Sequence, residues 1–285
     1  MLKKIVFLLQ QQEHNNWMDR LQELWTSLEE KEISCVLQDA IPEKSSDDLQ
    51  GKQDTIYIVD TESVAELLRQ GGHLVLPYRH QGNPDEKFPG ENYPYIIEEI
   101  EEMDYEAMDL VYRRLVGLPW DILTTQRCIV RETTVEDVDS FYRLYADDSI
   151  TEYMEALYPD REQEIAYIQD YNKRVYQFYG YGMWTVLDRE TGCIIGRVGI
   201  SWREGFDVPE LGFMLGVAWQ HKGYAFEMCQ AVLTYAREQL EMDAVQALVM
   251  EGNVLSERLC ARLGFEERGK VVMEGKEYNV YHRVL

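Results

Sequence analysis

Hydrophobic and polar positions along this chain follow two rhythms, and the way they alternate separates it into two halves. In the first half, the apolar run Lys4–Leu9 predicts a buried strand. Trp17–Lys31 then repeats apolar residues at Trp17, Leu21, Leu24, Trp25 and Leu28, a helical spacing. Cys35–Leu37 and Thr55–Val59 predict strands on either side of the polar, loop-like Pro42–Gln53. Asp60 or Thr61 can cap a helix through Ala65, Leu67 and Leu68 that stops at Gly71-Gly72. His73–Pro77 and Tyr95–Ile97 read as further short strands, and Tyr105–Leu115 as a helix ending at Gly117. Alternating strands and helices predict a small open α/β domain over residues 1–123.

Gly117-Leu118-Pro119-Trp120 and the polar Thr124-Thr125-Gln126 punctuate the chain, so a second domain is expected over 127–285. It opens with a strand at Cys128–Glu132. Thr134 caps a helix over Val135–Tyr145, with Asp137 at the capping-box position, and Glu162–Tyr179 is a second helix. Trp184–Leu187, Ile194–Trp202 and Leu211–Val217 predict successive strands, followed by a helix over Tyr224–Leu240. Val245–Met250 is a strand, Ser256–Leu263 a short helix, and Phe265–Met273 and Glu277–Val284 close the order β-α-α-β-β-β-α-β-α-β-β.

Charge changes this picture mainly by exclusion. The chain carries 28 Lys+Arg against 52 Asp+Glu, a net charge of −24, and both halves are acidic. Such a field opposes phosphate backbones and anionic membranes, and it attracts cations such as protonated amines. The five cysteines (Cys35, Cys128, Cys193, Cys229, Cys260) are scattered, odd in number and lack a C-x-x-C pair. Free thiols in a reducing cytoplasm are therefore expected, and no metal site. The apolar stretch Ile5–Leu9 is too short for a signal peptide and has no small-residue cleavage site after it. No run approaches the ~20 apolar residues of a membrane span.

Chemistry concentrates in Leu211–Ala225. A strand runs through a loop holding Gln220, His221, Lys222 and Gly223 into a helix that begins at Tyr224 and Ala225. Helix N-termini present unpaired N–H groups and a positive dipole end, which suit a pyrophosphate; Gly223 permits close backbone approach. Gly216, near the strand's end, suggests a bulge or a splay that leaves backbone groups free for an amide-bearing ligand. After the next strand comes Asn253-x-x-Ser256-x-x-Leu259-Cys260-x-x-Leu263-Gly264-Phe265.

Gln220-x-x-Gly223-x-Ala225, followed at this distance by Asn253-x-x-Ser256 and Gly264-Phe265, resembles the GNAT superfamily of N-acetyltransferases. The run Glu210–Glu227 looks most like the branch of ribosomal-protein and related N-terminal acetyltransferases. The resemblance covers roughly 127–285 and implies a mixed sheet with splayed central strands flanked by helices. It further implies acetyl-CoA as cosubstrate. The backbone of Leu215, Gly216 and Val217 would pair with the pantetheine arm, the segment Gln220–Ala225 would hold the pyrophosphate, and Asn253 would bind near the thioester. Glu210 takes the position of the base that deprotonates the amine. A tyrosine usual in the family is replaced here by Cys260, leaving a thiol as candidate acid for the departing thiolate, with Tyr224, Tyr278 and Tyr281 as substitutes. Tyr167, Tyr171, Tyr176, Tyr179 and Tyr181 fall where relatives form the acceptor cleft.

The first half resembles the Rossmann-like core of haloacid-dehalogenase-type hydrolases around Val59–Leu76. Its first strand leads into Gln10-Gln11-Gln12-Glu13, without the nucleophilic aspartate such hydrolases require. A non-catalytic accessory domain is the expectation. The chain thus reads as a two-domain, cytoplasmic acetyl-CoA-dependent N-acetyltransferase. It would act on a small-molecule or peptide amine, without nucleic acid or membrane, and a homodimer is compatible. The alternative is a non-catalytic acyl-CoA sensor.

Overall fold

The computed structural model describes residues 1–10, 17–38, 53–81, 87–90 and 92–285, and the chain divides into two units, Met1–Leu118 and Pro119–Leu285. In the first unit, β1 (Lys4–Leu8), β2 (Ser34–Gln38), β3 (Thr55–Val59) and β4 (Leu74–Pro77) form a parallel sheet in the order β2-β1-β3-β4. Parallel neighbours require crossovers. Two of these are helical, α1 (Trp17–Glu29) and α2 (Glu62–Gln70). The strand period of two sorts the core. Ile5, Phe7, Ile56 and Ile58 face Leu21, Leu24 and Leu28 of α1, whereas Val6, Leu8 and Val59 pack with Ala65 and Leu68 of α2. α3 (Tyr105–Val116) follows; Asp104 caps it by accepting from the Ala107 N–H, and Gly117 ends it in the left-handed conformation.

Two expectations for this unit change. Tyr95–Ile97 makes one parallel bridge, Ile97 to Tyr78, and no strand. Pro94 removes a backbone donor before it, and a 3₁₀ turn (Ile100–Glu102) follows at once. Asp60 does not cap α2. Its buried carboxylate accepts from the Gln10 N–H (2.9 Å) and lies 3.3 Å from His80 Nε2. Of the predicted loop over 42–53 all but the last residue lies outside the described residues, as do residues 11–16 after β1.

The second unit is built on eight strands: β5 (Asp121–Thr124), β6 (Cys128–Arg131), β7 (Met183–Asp188), β8 (Ile194–Ser201), β9 (Glu210–Leu215), β10 (Ala244–Met250), β11 (Glu266–Met273) and β12 (Lys276–Val284). Their order is β11-β12-β10-β9-β8-β7-β6-β5, antiparallel throughout except at β9–β10. On one face, Val198, Ile200, Leu211 and Leu215 pack with Met228, Val232 and Ala236 of α8 (Tyr224–Glu238). Further helices are α4 (Val138–Tyr145), α5 (Asp148–Thr151), α6 (Arg161–Tyr171), α7 (Gln177–Tyr179) and α9 (Val254–Arg262). Val138 and Phe141 of α4 cluster with Ile168 of α6.

Here too the sequence expectations shift locally. Residues 119–123 belong with the second unit, because Asp121–Thr124 pairs antiparallel with β6. A 3₁₀ turn (Val135–Asp137) precedes α4, with Asp137 Oδ2 accepting from the Thr134 N–H at 3.0 Å. The predicted helix over 162–179 is interrupted by a π turn (Asn172–Tyr176). There Tyr176 enters the core and its hydroxyl donates to the Met183 carbonyl. β9 stops at Leu215, two residues early, because Gly216 leads the chain into a 3₁₀ turn (Val217–Trp219).

Candidate active site

β9 pairs with β8 along its whole length, yet meets β10 at one register position, Glu210 with Gln246. β10 is meanwhile held by β12 over all of Ala244–Met250. Anchored to different neighbours, the two central strands part beyond Glu210, and β9 keeps an unpaired edge over residues 211–214. Two clefts open at this gap. One, of about 600 Å³, is lined by Leu215, Gln220, His221, Gly223, Ala225 and Asn253 among others. The second, of about 900 Å³, holds Glu210, Arg203, Arg197 and several tyrosines. The clefts share Tyr153, Met154, Phe213, Met214, Asn253 and Ser256, so they meet at the mouth of the splay.

The smaller cleft is built mainly from backbone. The N–H groups from His221 to Phe226 donate to no described residue, and they ring the start of a 15-residue helix. Unpaired donors at the positive end of a helix dipole form an anion site. Gly223 sits at φ +85°, where a side chain would cost about 1–2 kcal/mol. Glu227 pins the loop: its carboxylate accepts from Thr125 Oγ1 (2.7 Å), the Arg127 N–H (2.8 Å) and Arg127 Nε (2.7 Å). Burial works against that charge, but these hydrogen bonds hold the carboxyl below the ordinary glutamate range. Arg127 Nη1 also donates to the Lys222 carbonyl at 3.0 Å, so one side chain ties helix to loop.

Several expected cofactor contacts are engaged elsewhere. The Gly216 N–H donates to the Ile195 carbonyl (2.9 Å), and its own carbonyl accepts from the Trp219 N–H (2.8 Å). Glycine is needed there for packing, since a Cβ would lie 2.5 Å from Leu144 Cδ2. The Gln220 side chain donates to the Leu215 carbonyl (2.9 Å), and its N–H donates to Val217 (3.2 Å). The free strand edge therefore falls earlier than Leu215–Val217. Lys222 Nζ donates to the Ala218 carbonyl (2.7 Å), and the Tyr224 hydroxyl to Asp188 Oδ2 (3.0 Å); neither residue lines the cleft. Exposed His221 does line it, as does Asn253. Asn253 Oδ1 caps α9 by accepting from the Ser256 N–H (3.2 Å), leaving its NH₂ without an acceptor among the described residues. An unpaired strand edge beside an anion-binding helix start suits an acyl-CoA, whose amide-bearing arm ends in a pyrophosphate.

The larger cleft is built from side chains. Glu210 is 9% exposed, and its Oε2 lies 2.7 Å from Arg203 Nε. Burial pushes its carboxyl above the ordinary glutamate range, and Arg203 restrains the rise. A carboxylate so placed can take a proton from an ammonium group at near-neutral pH. Cys260 lines neither cleft. It packs in the core with Cys229 and Leu263, and burial pushes its thiol up to about 12. Of the substitutes considered, Tyr281 is buried and Tyr278 lines the larger cleft. Of the tyrosine-rich segment, Tyr167 and Tyr171 line that cleft, while Tyr176 is core. Sequence reasoning passed over Arg197, Arg203 and Tyr153, and it placed Ser256 in a motif without giving it a role. The period-two pattern on β8 held one signal, since Val198 and Ile200 face the core and thereby turn Arg197 and Ser201 to the cleft.

A mixed sheet splayed at its centre, with an anion-binding helix start on one side and a buried carboxylate on the other, defines an acyl-CoA-dependent transferase. The acetyltransferase (GNAT) domain profile matches residues 127–266. The chain is 30% identical to the [Ribosomal protein uS5]-alanine N-acetyltransferase of Escherichia coli (strain K12), over 52% of this chain and 79% of that one. It is 24% identical to the uncharacterized N-acetyltransferase YnaD of Bacillus subtilis (strain 168), over 57% and 96%. In fold it is similar to the solved RimL ribosomal L7/L12 alpha-N-protein acetyltransferase in complex with coenzyme A. That match has a TM-score of 0.50 and 17% identity, covering 58% of this chain and 98% of that one. The chain belongs to the GNAT acetyltransferase family and is an acetyl-CoA-dependent N-acetyltransferase.

Proposed function

We propose that Glu210 is the general base of this enzyme and that the acceptor is the α-amine of a peptide or protein N-terminus. The observation that carries the first part is the position of Glu210, buried at the one β9–β10 pair, in the cleft that meets the cofactor cleft. Bound acetyl-CoA supplies an activated acyl carbonyl. In this reading the amides of His221–Phe226 and the Asn253 NH₂ orient it along the free edge of β9. Glu210 takes a proton from the incoming ammonium group, and the free amine attacks the carbonyl carbon directly. Tyr153 and Ser256 line both clefts, and the hydroxyl of one of them passes the departing thiolate its proton and is reprotonated from solvent. The peptide acceptor is supported by the relative that acts on the alanine of ribosomal protein uS5.

The first unit is read as a non-catalytic accessory. Its buried Asp60 is engaged by the Gln10 N–H and His80, as befits a structural group. Five free cysteines agree with a cytoplasmic setting, and among the described residues no helix is long and apolar enough to cross a membrane. Release of CoA from acetyl-CoA, measured against a panel of N-terminal peptides, tests the acceptor. Turnover of lysine-bearing or polyamine acceptors with no N-terminal activity would overturn it.

A further inference from the structure

The acceptor cleft contains a cation that the acyl-transfer chemistry does not use. Arg197 lies on β8, on the same sheet face as Ser201, and lines the cleft beside Tyr145, Tyr167 and Tyr171. Its Nε is sealed from solvent and has no hydrogen-bond partner, and no carboxylate pairs with the guanidinium among the described residues. The guanidinium donates to the Tyr145 hydroxyl and packs on the ring of Phe141, 4.9 Å from its central carbon. A ring face meets the charge but accepts none of the N–H donors in the guanidinium plane. Glu164, the other deeply buried acid of this cleft, accepts instead from the Tyr158 N–H at 3.0 Å. The cleft's remaining arginine, Arg203, is paired with Glu210. Arg197 is therefore a half-buried cation with no carboxylate partner among the described residues and an unmatched Nε, on the wall of the space the acceptor must enter.

Sheet register gives the spacing. Arg197 pairs with Met214 and Ser201 with Glu210, so Arg197 and Glu210 rise from one face, four residues apart along neighbouring strands. That is about 13 Å along the strand direction. Side chains reaching toward each other shorten the gap, but a free α-amino acid, with its amine and acid on one carbon, is too short to fill it. We infer that Arg197 selects acceptors carrying a carboxylate or phosphate several bonds from the reacting amine, bound to its guanidinium while the amine faces Glu210. This rests on the reading of the cleft as the acceptor site, and it adds a substrate class to that reading. The protein's net negative charge makes the arrangement selective, because an acidic acceptor gains nothing from the surface and depends on this one cation without a carboxylate partner.

The test uses the full chain and matched acceptor pairs. One pair is a short peptide with Asp at the second or third position against the same peptide with Asn. The other is an aminoalkyl phosphate against the corresponding amino alcohol. A charge-assisted hydrogen bond lost from a buried site predicts a kcat/KM ratio within a pair of roughly 10 to 100. The pair that shows it tells a peptide carboxylate from a small phosphate. Arg197→Gln should bring the ratio close to one, and Arg197→Lys should restore part of it. The acetyl-CoA-induced rise in Tm, read on each variant, reports that fold and cofactor cleft are intact. Equal turnover within both pairs by the wild-type protein overturns the inference even if every variant misfolds. An undiminished ratio in Arg197→Gln overturns it as well. Absence of CoA release with any amine, despite a normal acetyl-CoA shift, would instead count against the acceptor-site reading beneath it.

Discussion

The two clefts at the β9–β10 gap are built by opposite means. The cofactor side is made of backbone: unpaired amides at the start of α8, a glycine at positive φ, and a strand edge left free by the splay. The acceptor side is made of side chains, with Glu210, Arg203, Arg197 and tyrosines drawn from distant segments. Backbone donors in fixed positions suit a ligand that does not change, whereas side chains can be exchanged without disturbing the fold. The difference separates what all such enzymes must share from what this one can choose.

The sharpest way to break the comparison is to change the acceptor side alone. Glu210→Gln keeps the shape and the hydrogen bonding near Arg203 but cannot take a proton. Acetyl transfer should fall by roughly 100-fold or more, with the acetyl-CoA-induced Tm shift preserved. Undiminished turnover would remove Glu210 from the chemistry and favour a water or another carboxylate. Full ligand response with no turnover in the wild type as well would favour a sensor.

A change on the cofactor side should have the converse signature. Asn253→Asp keeps an oxygen to cap α9, since Asp and Asn cap about equally well, but replaces the NH₂ donor with a second oxygen. The apo protein should melt within a degree or two of wild type. Affinity for acetyl-CoA should drop about tenfold, a loss of roughly 1.4 kcal/mol that thermal unfolding at fixed ligand concentration reads directly. An unchanged ligand response would confine Asn253 to its capping role.

How legible each side was follows from how it is built. The cofactor loop and the helix cap occupy contiguous residues, Gln220–Ala225 and Asn253–Ser256, so their conformational demands appear as short motifs. Even there the contacts of Gly216, Gln220, Lys222 and Tyr224 could not be read, because their partners, Ile195, Leu144 and Asp188 among them, lie far away in the chain or depend on a turn. The acceptor cleft left almost no linear trace. Glu210 was visible only through the family resemblance, one residue before the predicted strand Leu211–Val217, and its partner Arg203 lies just past the predicted strand Ile194–Trp202. Hydrophobic period carried the succession of strands and helices along the chain, whereas the mixed, splayed sheet was implied by the family resemblance. Asp121–Thr124 escaped because a four-residue edge strand beside Pro119 is too short to show one, and Tyr95–Ile97 misled because a brief apolar run does not reveal whether a pairing edge is available.

A finer change asks whether the acceptor side is tuned electrostatically. Arg203 opposes the rise that burial imposes on the Glu210 carboxyl. The base works deprotonated, so kcat/KM should climb with pH through the Glu210 pKa, at a value above that of an ordinary glutamate. Arg203→Ala removes the restraining charge, which raises that pKa further and moves the acidic limb to higher pH, by about one unit. At a fixed pH on that limb the variant should be slower, and it should recover as the pH is raised. A limb that stays in place or moves to lower pH would mean that Arg203 holds Glu210 in position without adjusting its proton affinity.

The smallest expected effect concerns Cys260, which stands where relatives commonly have a tyrosine. Its thiol is packed among apolar side chains, is held protonated by burial, and lines neither cleft. Cys260→Ala should leave kcat within about twofold of wild type while costing about 1 kcal/mol of stability, the loss of a small buried group. Were kcat to fall tenfold with the acetyl-CoA response intact, the thiol would have to reach the leaving group through a rearrangement of α9. Tyr153→Phe and Ser256→Ala complete the comparison, since those hydroxyls stand where the clefts join. If the proton comes from one of them, that substitution should slow turnover more than Cys260→Ala does, and if neither does, solvent is the source.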